Sequence, residues 1–204
     1  MLTLFYSPGA CSLAAHIVLE ESGEPYAAKR IDFATNQQRS EDYLRVNPQG
    51  RVPALVLDDG TPINENTAIL PYLGKRFGLW PSDPIGEAKA LSLIGFFAVN
   101  VHPAHAHVRR VERYAADPAA FATIQETGRK TFIGYMEQVD ARLSGRDWFL
   151  DAYSVVDPYA LVFYRWAAGF HKLPMAEYRN YTALHDRLLA RPAVQRTLEA
   201  EGLK

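Results

Sequence analysis

Apolar and polar positions change rhythm once along the chain. Residues 2–6, LTLFY, are rich in strand formers and are cut off by Pro8-Gly9. Over residues 12–22 the apolar side chains Leu13, Ile17, Val18 and Leu19 recur at helical spacing, and Gly23 marks the stop. PYAAKRIDF predicts a second strand, and SEDYLRVNPQG a short helix or turn closed by Pro48 and Gly50. VPALVLDDGTPIN predicts a strand, a hairpin centred on Asp59-Gly60 and a short partner strand. ENTAILPYLGKRFG predicts a helix capped by Asn66, with Pro71 one turn inside it imposing a kink or a late start.

The first 78 residues thus read β-α-β, a linking segment, then β-β-α. A strand–helix–strand unit needs a right-handed crossover and gives a parallel pair, to which the hairpin adds antiparallel strands. LWPSDPIGE, with its two prolines, reads as a linker over residues 79–86. Beyond it no convincing strand follows; helical patterns run over 87–114, 118–143, 154–168, 175–190 and 193–200. The expected architecture is a small α/β domain (1–78) joined to an all-helical domain (87–204).

Composition narrows the function classes. The chain is 48% hydrophobic and 22% charged, with a formal net charge of −1, so it carries no electrostatic footprint for nucleic acid or an anionic membrane. No apolar run approaches a membrane span, and MLTLFYSPG lacks the basic and long apolar regions of a signal peptide. A single cysteine excludes an intrachain disulfide and fits a reducing compartment. A soluble, cytoplasmic protein is expected.

That cysteine, Cys11, stands where the first helix should begin, at unpaired N–H groups and the positive end of the helix dipole. Such a place lowers a thiol's pKa, although a lone cysteine is also a common small core residue. Val52-Pro53 precedes an apolar strand; it is either a plain strand-entry proline or a cis bond that turns the Val52 N–H and C=O outward to pair with an extended peptide. Glu65-Asn66, at the next helix start, suits the zwitterionic end of an amino acid, or ordinary capping. His102, His105 and His107 invite a metal, but His107 lies off the face shared by the other two and no acidic or thiol partner stands nearby, so no metal is expected. His102 suits a polar or acid–base role at a cleft. Ser154 and Asp157 form a capping box before an apolar run, and Trp166 and Phe170 are placed to edge a cleft.

YSPGACSL, NPQGRVPAL, ENTAI, NVH and YSVVDPYAL stand in the order and spacing of the bacterial beta-class glutathione transferases. The chain resembles that family over essentially its whole length, down to RPAVQRTLEAEGL. The resemblance implies a thioredoxin-like N-terminal domain, an all-helical C-terminal domain and a homodimer, with glutathione as co-substrate bound between the domains and conjugated to a small hydrophobic electrophile. By position it places Cys11 beside the glutathione sulfur and His102 facing it. Val52, held by a cis Pro53, pairs with the cysteinyl part, and Glu65 and Asn66 hold the γ-glutamyl end. Tyr114, Phe163, Trp166 and Phe170 are its candidates for the electrophile pocket. Three positions depart from the family: Asn66 replaces a small hydroxyl residue, Asn36 or Gln37 a lysine at the glycyl end, and Gly95 an asparagine of the dimer-facing helix. A glutathione-dependent thiol–disulfide oxidoreductase or peroxidase working through Cys11, and a non-catalytic binding protein, are the rival readings.

Overall fold

The computed structural model describes residues 1–203. The first half of the pattern folds as β1 (Thr3–Tyr6), α1 (Leu13–Ser22), β2 (Ala27–Arg30), α2 (Glu41–Val46), β3 (Ala54–Val56), β4 (Pro62–Asn64) and α3 (Asn66–Phe77). The strands form one sheet in the order β2-β1-β3-β4, with β1 and β2 parallel and the other pairs antiparallel. This is the thioredoxin-like arrangement that the β-α-β then β-β-α reading requires. In β1, Leu4 and Tyr6 are buried and Thr3 and Phe5 less so, the alternation of a strand with two unequal faces. The edge strand β2 carries Lys29 and Arg30 outward, charges that oppose further strand pairing.

The helical half comprises α4 (Pro84–Phe96), α5 (His102–Arg109), α6 (Phe121–Arg142), α7 (Val156–Gly169), α8 (Arg179–Leu189) and α9 (Pro192–Ala200). Helix α4 begins ahead of residue 87 because Asp83 caps it, accepting from the Gly86 N–H at 2.8 Å, and Pro84 occupies the first turn. Pro71 neither delays nor ends α3, which runs through it to the left-handed Gly78. The cap of α3 is Glu65, not Asn66.

Helix α1 is buried all round: Leu13 to Leu19 are inaccessible without interruption, His16 included. Its spacing alone reads as a helix with one apolar face. It is covered on the sheet side and also by α3, α7 and α9, so one apolar core passes from β1 into the helical half.

Helices α4 and α5 are continuous through a wider, π-helical stretch, Phe97–Val101, in which the His102 N–H donates to the Phe97 carbonyl. Pro103 supplies the cause. It has no N–H to give, and its ring would press on the carbonyl one turn earlier, so the helix opens just ahead of it. The whole helix, Pro84–Arg109, is long and apolar enough by length and composition to cross a membrane, contrary to the expectation that no segment is. Ala90, Ile94, Phe97 and Val101 spend part of that apolarity on the core, while Ile85 and Val99 are each 68% exposed.

The capping box starts α7. Buried Asp157 accepts from the Ser154 N–H (2.8 Å), the Ser154 hydroxyl (3.3 Å) and the Phe149 N–H (3.1 Å). Burial raises its carboxyl to about 6, but these donors keep it ionised at pH 7. Asp157→Ala strands two buried N–H groups and is expected to cost about 3 kcal/mol, against about 1 kcal/mol for Ser154→Ala, measured by urea unfolding at fixed protein concentration.

Candidate functional site

A cleft of about 700 Å³ lies between the sheet's loop edge and the α5 and α7 helices. Its floor is the β1–α1 loop. Ser12 closes that loop, accepting from the Ser7 N–H at 3.2 Å and donating to the Ser7 carbonyl at 3.3 Å. Gly9, at φ 68°, takes a backbone conformation that favours glycine, and both its polar groups are held from the helical half. The Trp166 indole N–H donates to its carbonyl at 2.9 Å, and its N–H donates to Glu201 Oε2 at 2.8 Å. Glu201 Oε1 meets His16 Nδ1 at 2.8 Å inside the core.

Cys11 follows directly. Its thiol donates to the Val52 carbonyl at 3.3 Å, across the cleft from His102. The Val52–Pro53 bond is cis, so of the two readings the peptide-pairing one matches the backbone, and no described residue accepts from the Val52 N–H. The expected lowering of the Cys11 thiol does not occur. Burial and the Glu65 carboxylate push it up to about 12, outweighing the Cys11 and Ser12 N–H groups and the Arg51 charge. Helix α1 also starts at Leu13, two residues later than an interaction with its first turn would favour. Cys11 is a neutral thiol at pH 7.

His102 is half-buried, edge-on to Trp166 at 5.0 Å, and burial together with Arg51 and Arg113 lowers it to about 4. It is a neutral imidazole. The three histidines of NVHPAHAH go to different places: His105 stacks on Trp166 and meets His171 at 3.0 Å, while His107 packs on Tyr114. Among the described residues no group of three or more potential ligands could hold a metal.

At the head of α3, Glu65 is exposed and held at φ 71°, unusual for a residue with a Cβ and costing on the order of 1 kcal/mol. Its side chain does not cap the helix, and it lines the cleft beside Asn66 at the start of α3. Asn66 is buried. Its Nδ2 gives one of its two hydrogens to the Cys11 carbonyl at 3.0 Å, and Oδ1 has no partner. Of the two candidates near residue 36, Asn36 lines the cleft; Gln37 instead accepts from the Asp32 N–H.

Trp166, Tyr114 and Phe170 line the cleft, the last two about half exposed. Phe163 does not. It is fully buried and stacked on Phe97 at 5.1 Å, because α7 is enclosed and that face points into the helical core. Sequence reasoning missed Tyr159, a buried phenol at the cleft floor with Cys11 and Asn66 as its electrostatic neighbours, and the arginines Arg51, Arg109, Arg110 and Arg113 on the rim. The aromatic-rich pattern of α7, the RRVER stretch and the arginine of NPQGRVPAL were the signals for them.

Because Cys11 is the chain's single thiol, its titration is directly readable. The iodoacetamide alkylation rate is expected to rise about tenfold per pH unit from 7 through 10 without levelling, where an ordinary thiol levels near 8.5. A plateau below pH 8 contradicts the neutral thiol.

Residues 9–76 match the family model for the glutathione S-transferase N-terminal domain. The glutathione S-transferase GstA of Escherichia coli O157:H7 is 34% identical over 100% of both chains. A Sulfitobacter glutathione transferase homologue with bound glutathione superposes with a TM-score of 0.92 at 34% identity, covering 100% of this chain and 99% of its own. The beta-class glutathione S-transferase of Sphingomonas chungbukensis gives 0.86 at 32% identity, covering 99% of this chain and 100% of its own. With full-length similarity at this level, and the thioredoxin-like sheet and its cleft against the helices already described, the chain belongs to the glutathione S-transferase family.

Proposed function

We propose that the protein binds reduced glutathione in this cleft, ionises its thiol and transfers the sulfur to an electrophile. The observation that carries the reading is the joint placement of three elements in one cleft: the outward Val52 backbone, the head of α3 with Glu65, and Cys11 facing His102. The Val52 N–H pairs with the extended cysteinyl part, as a strand does at a sheet edge. Glu65 takes the ammonium of the γ-glutamyl end, and the free N–H groups at the head of α3 take its carboxylate. The unpartnered Asn66 Oδ1 accepts an N–H donor from the same end. Asn36 faces the glycyl part.

The pKa directions decide how the sulfur is held. Moving a proton from a thiol of ordinary pKa to an imidazole at about 4 would cost roughly 6 kcal/mol, so His102 is no base here. Neutral His102 is instead a hydrogen-bond donor to the glutathione sulfur anion, and the neutral Cys11 thiol turns from the Val52 carbonyl to donate to it as well, helped by the Arg51 charge. The thiol proton leaves to solvent, the anion forms the new carbon–sulfur bond, and the electrophile's leaving group departs with the bonding pair. The same shift counts against the oxidoreductase reading. At pH 7 only about one Cys11 in 10⁵ is the thiolate that disulfide exchange requires.

A homodimer belongs to this reading, with exposed Ile85 and Val99 as its apolar contact and Gly95, where an added side chain would meet nothing within 4 Å, on the same helix. A single free thiol and a reduced tripeptide substrate suit the cytoplasm. No metal takes part in the proposed step.

Calorimetric titration with reduced glutathione at pH 7.5, in two buffers of different ionisation enthalpy, is expected to show close to one proton released on binding. Binding without proton release overturns the anion reading. In steady-state assays Glu65→Gln is expected to raise the glutathione KM about tenfold with kcat largely kept, while Cys11→Ala lowers kcat ten- to a hundredfold.

A further inference from the structure

The transferase reading uses Arg51 beside the sulfur and gives the rest of the cleft's rim no role. That rim is cationic. Arg51 stands on the loop before β3, and Arg109, Arg110 and Arg113 follow one another through the end of α5 and the turn Val111–Arg113. With Arg39, five arginines line the cleft against two carboxylates, Glu65 and Glu112, in a chain whose net charge is −1. Several surface arginines elsewhere are paired: Arg76 with Asp58, Arg187 with Asp147, Arg191 with Glu21, Arg196 with Glu20. Among the described residues no carboxylate pairs with Arg51, Arg109, Arg110 or Arg113.

These charges act on one another and on the reaction centre. Burial, then Arg51 and Arg110, lowers Arg113 from its ordinary value, and Arg51 and Arg113 together help to keep His102 neutral. Like charges that outnumber their counter-charges repel, and an anion placed among them relieves that repulsion. Beside them stands an aromatic platform. Phe170 is half exposed with the Arg109 guanidinium 4.5 Å over its ring, and Tyr114 is 44% exposed and braced by His107 at 4.1 Å. Glutathione's own ammonium and γ-glutamyl carboxylate are met across the cleft at the head of α3, so the rim faces the second substrate.

We propose that the electrophile is an anion: a carboxylate-bearing molecule whose acidic group binds Arg51, Arg110 and Arg113 while its reactive apolar body rests on Phe170 and Tyr114. The inference rests on the transferase reading and replaces the purely hydrophobic electrophile expected from the family resemblance. The step itself is unchanged and balanced: the glutathione sulfur anion bonds to the electrophilic carbon, and the leaving group, chloride for an aryl chloride, departs with the bonding pair.

The test compares 4-chloro-3,5-dinitrobenzoate with its neutral amide, each rate divided by the uncatalysed rate with glutathione. The native protein is expected to prefer the carboxylate at least tenfold in kcat/KM, with the preference falling as salt rises from 20 to 500 mM. The Arg110→Gln/Arg113→Gln double variant is expected to lose about tenfold of that preference, with the glutathione KM unmoved. Turnover of the amide without a carboxylate preference overturns the anionic rim and leaves the transferase reading standing. A loss in the double variant that falls equally on both substrates and raises the glutathione KM also overturns it, assigning these arginines to the glycyl carboxylate of glutathione. No turnover of either substrate overturns the transferase reading and this inference with it.

Discussion

Everything at the cleft depends on how the backbone of Gly9 is held. Its carbonyl takes the Trp166 indole N–H from α7, and its N–H goes to Glu201 beyond α9, whose other oxygen meets His16 in α1. Two elements remote in sequence thereby clamp the loop that carries Cys11. Both Gly9 bonds bridge the two halves of the chain, and α1 is buried between them. The N-terminal part is therefore braced by the helical part at the place where the chemistry is proposed. A rigid floor of this kind is what precise placement of a reacting sulfur requires.

The opposite wall is shaped by a single proline. Pro103 cannot complete the ladder of the long α4–α5 helix, and the wider turn before it sets where His102 leaves the helix. Trp166 then serves both walls: its N–H binds the floor at Gly9 while its ring meets His102 at 5.0 Å and His105 at 4.2 Å. The aromatic packing of α7 thus fixes the distance between the loop and the imidazole, the role of Phe163 being to hold that packing from inside.

Between the walls, charge and burial oppose each other. Burial makes Cys11 and His102 neutral, and so turns two residues that look like an acid–base pair into two donors. Positive charge is supplied instead by the guanidinium groups of Arg51 and the rim arginines. The cleft is arranged to receive negative charge without ionising its own thiol.

Much of the fold was legible in the sequence, because period and punctuation are local. The alternation of LTLFY, the helical recurrence after Ser12, the Asp59-Gly60 turn, and the Ser154–Asp157 box each act within a few residues, and each element formed where it was read. The motif order identified the family, and with it the neighbourhood of Cys11, Val52, Glu65 and His102. What the sequence could not decide is whatever depends on contacts distant along the chain. Whether Cys11 sits at a helix head or just before it is settled by the Ser7–Ser12 loop, and its protonation by the depth of burial against Val52. Asn66 gives one amide hydrogen to the Cys11 carbonyl, Phe163 turns inward rather than toward the cleft, and Glu201 reaches back 192 residues to Gly9. Patterns of hydrophobicity record which face of an element is buried. Only packing decides what each buried polar group meets, and those meetings set its charge.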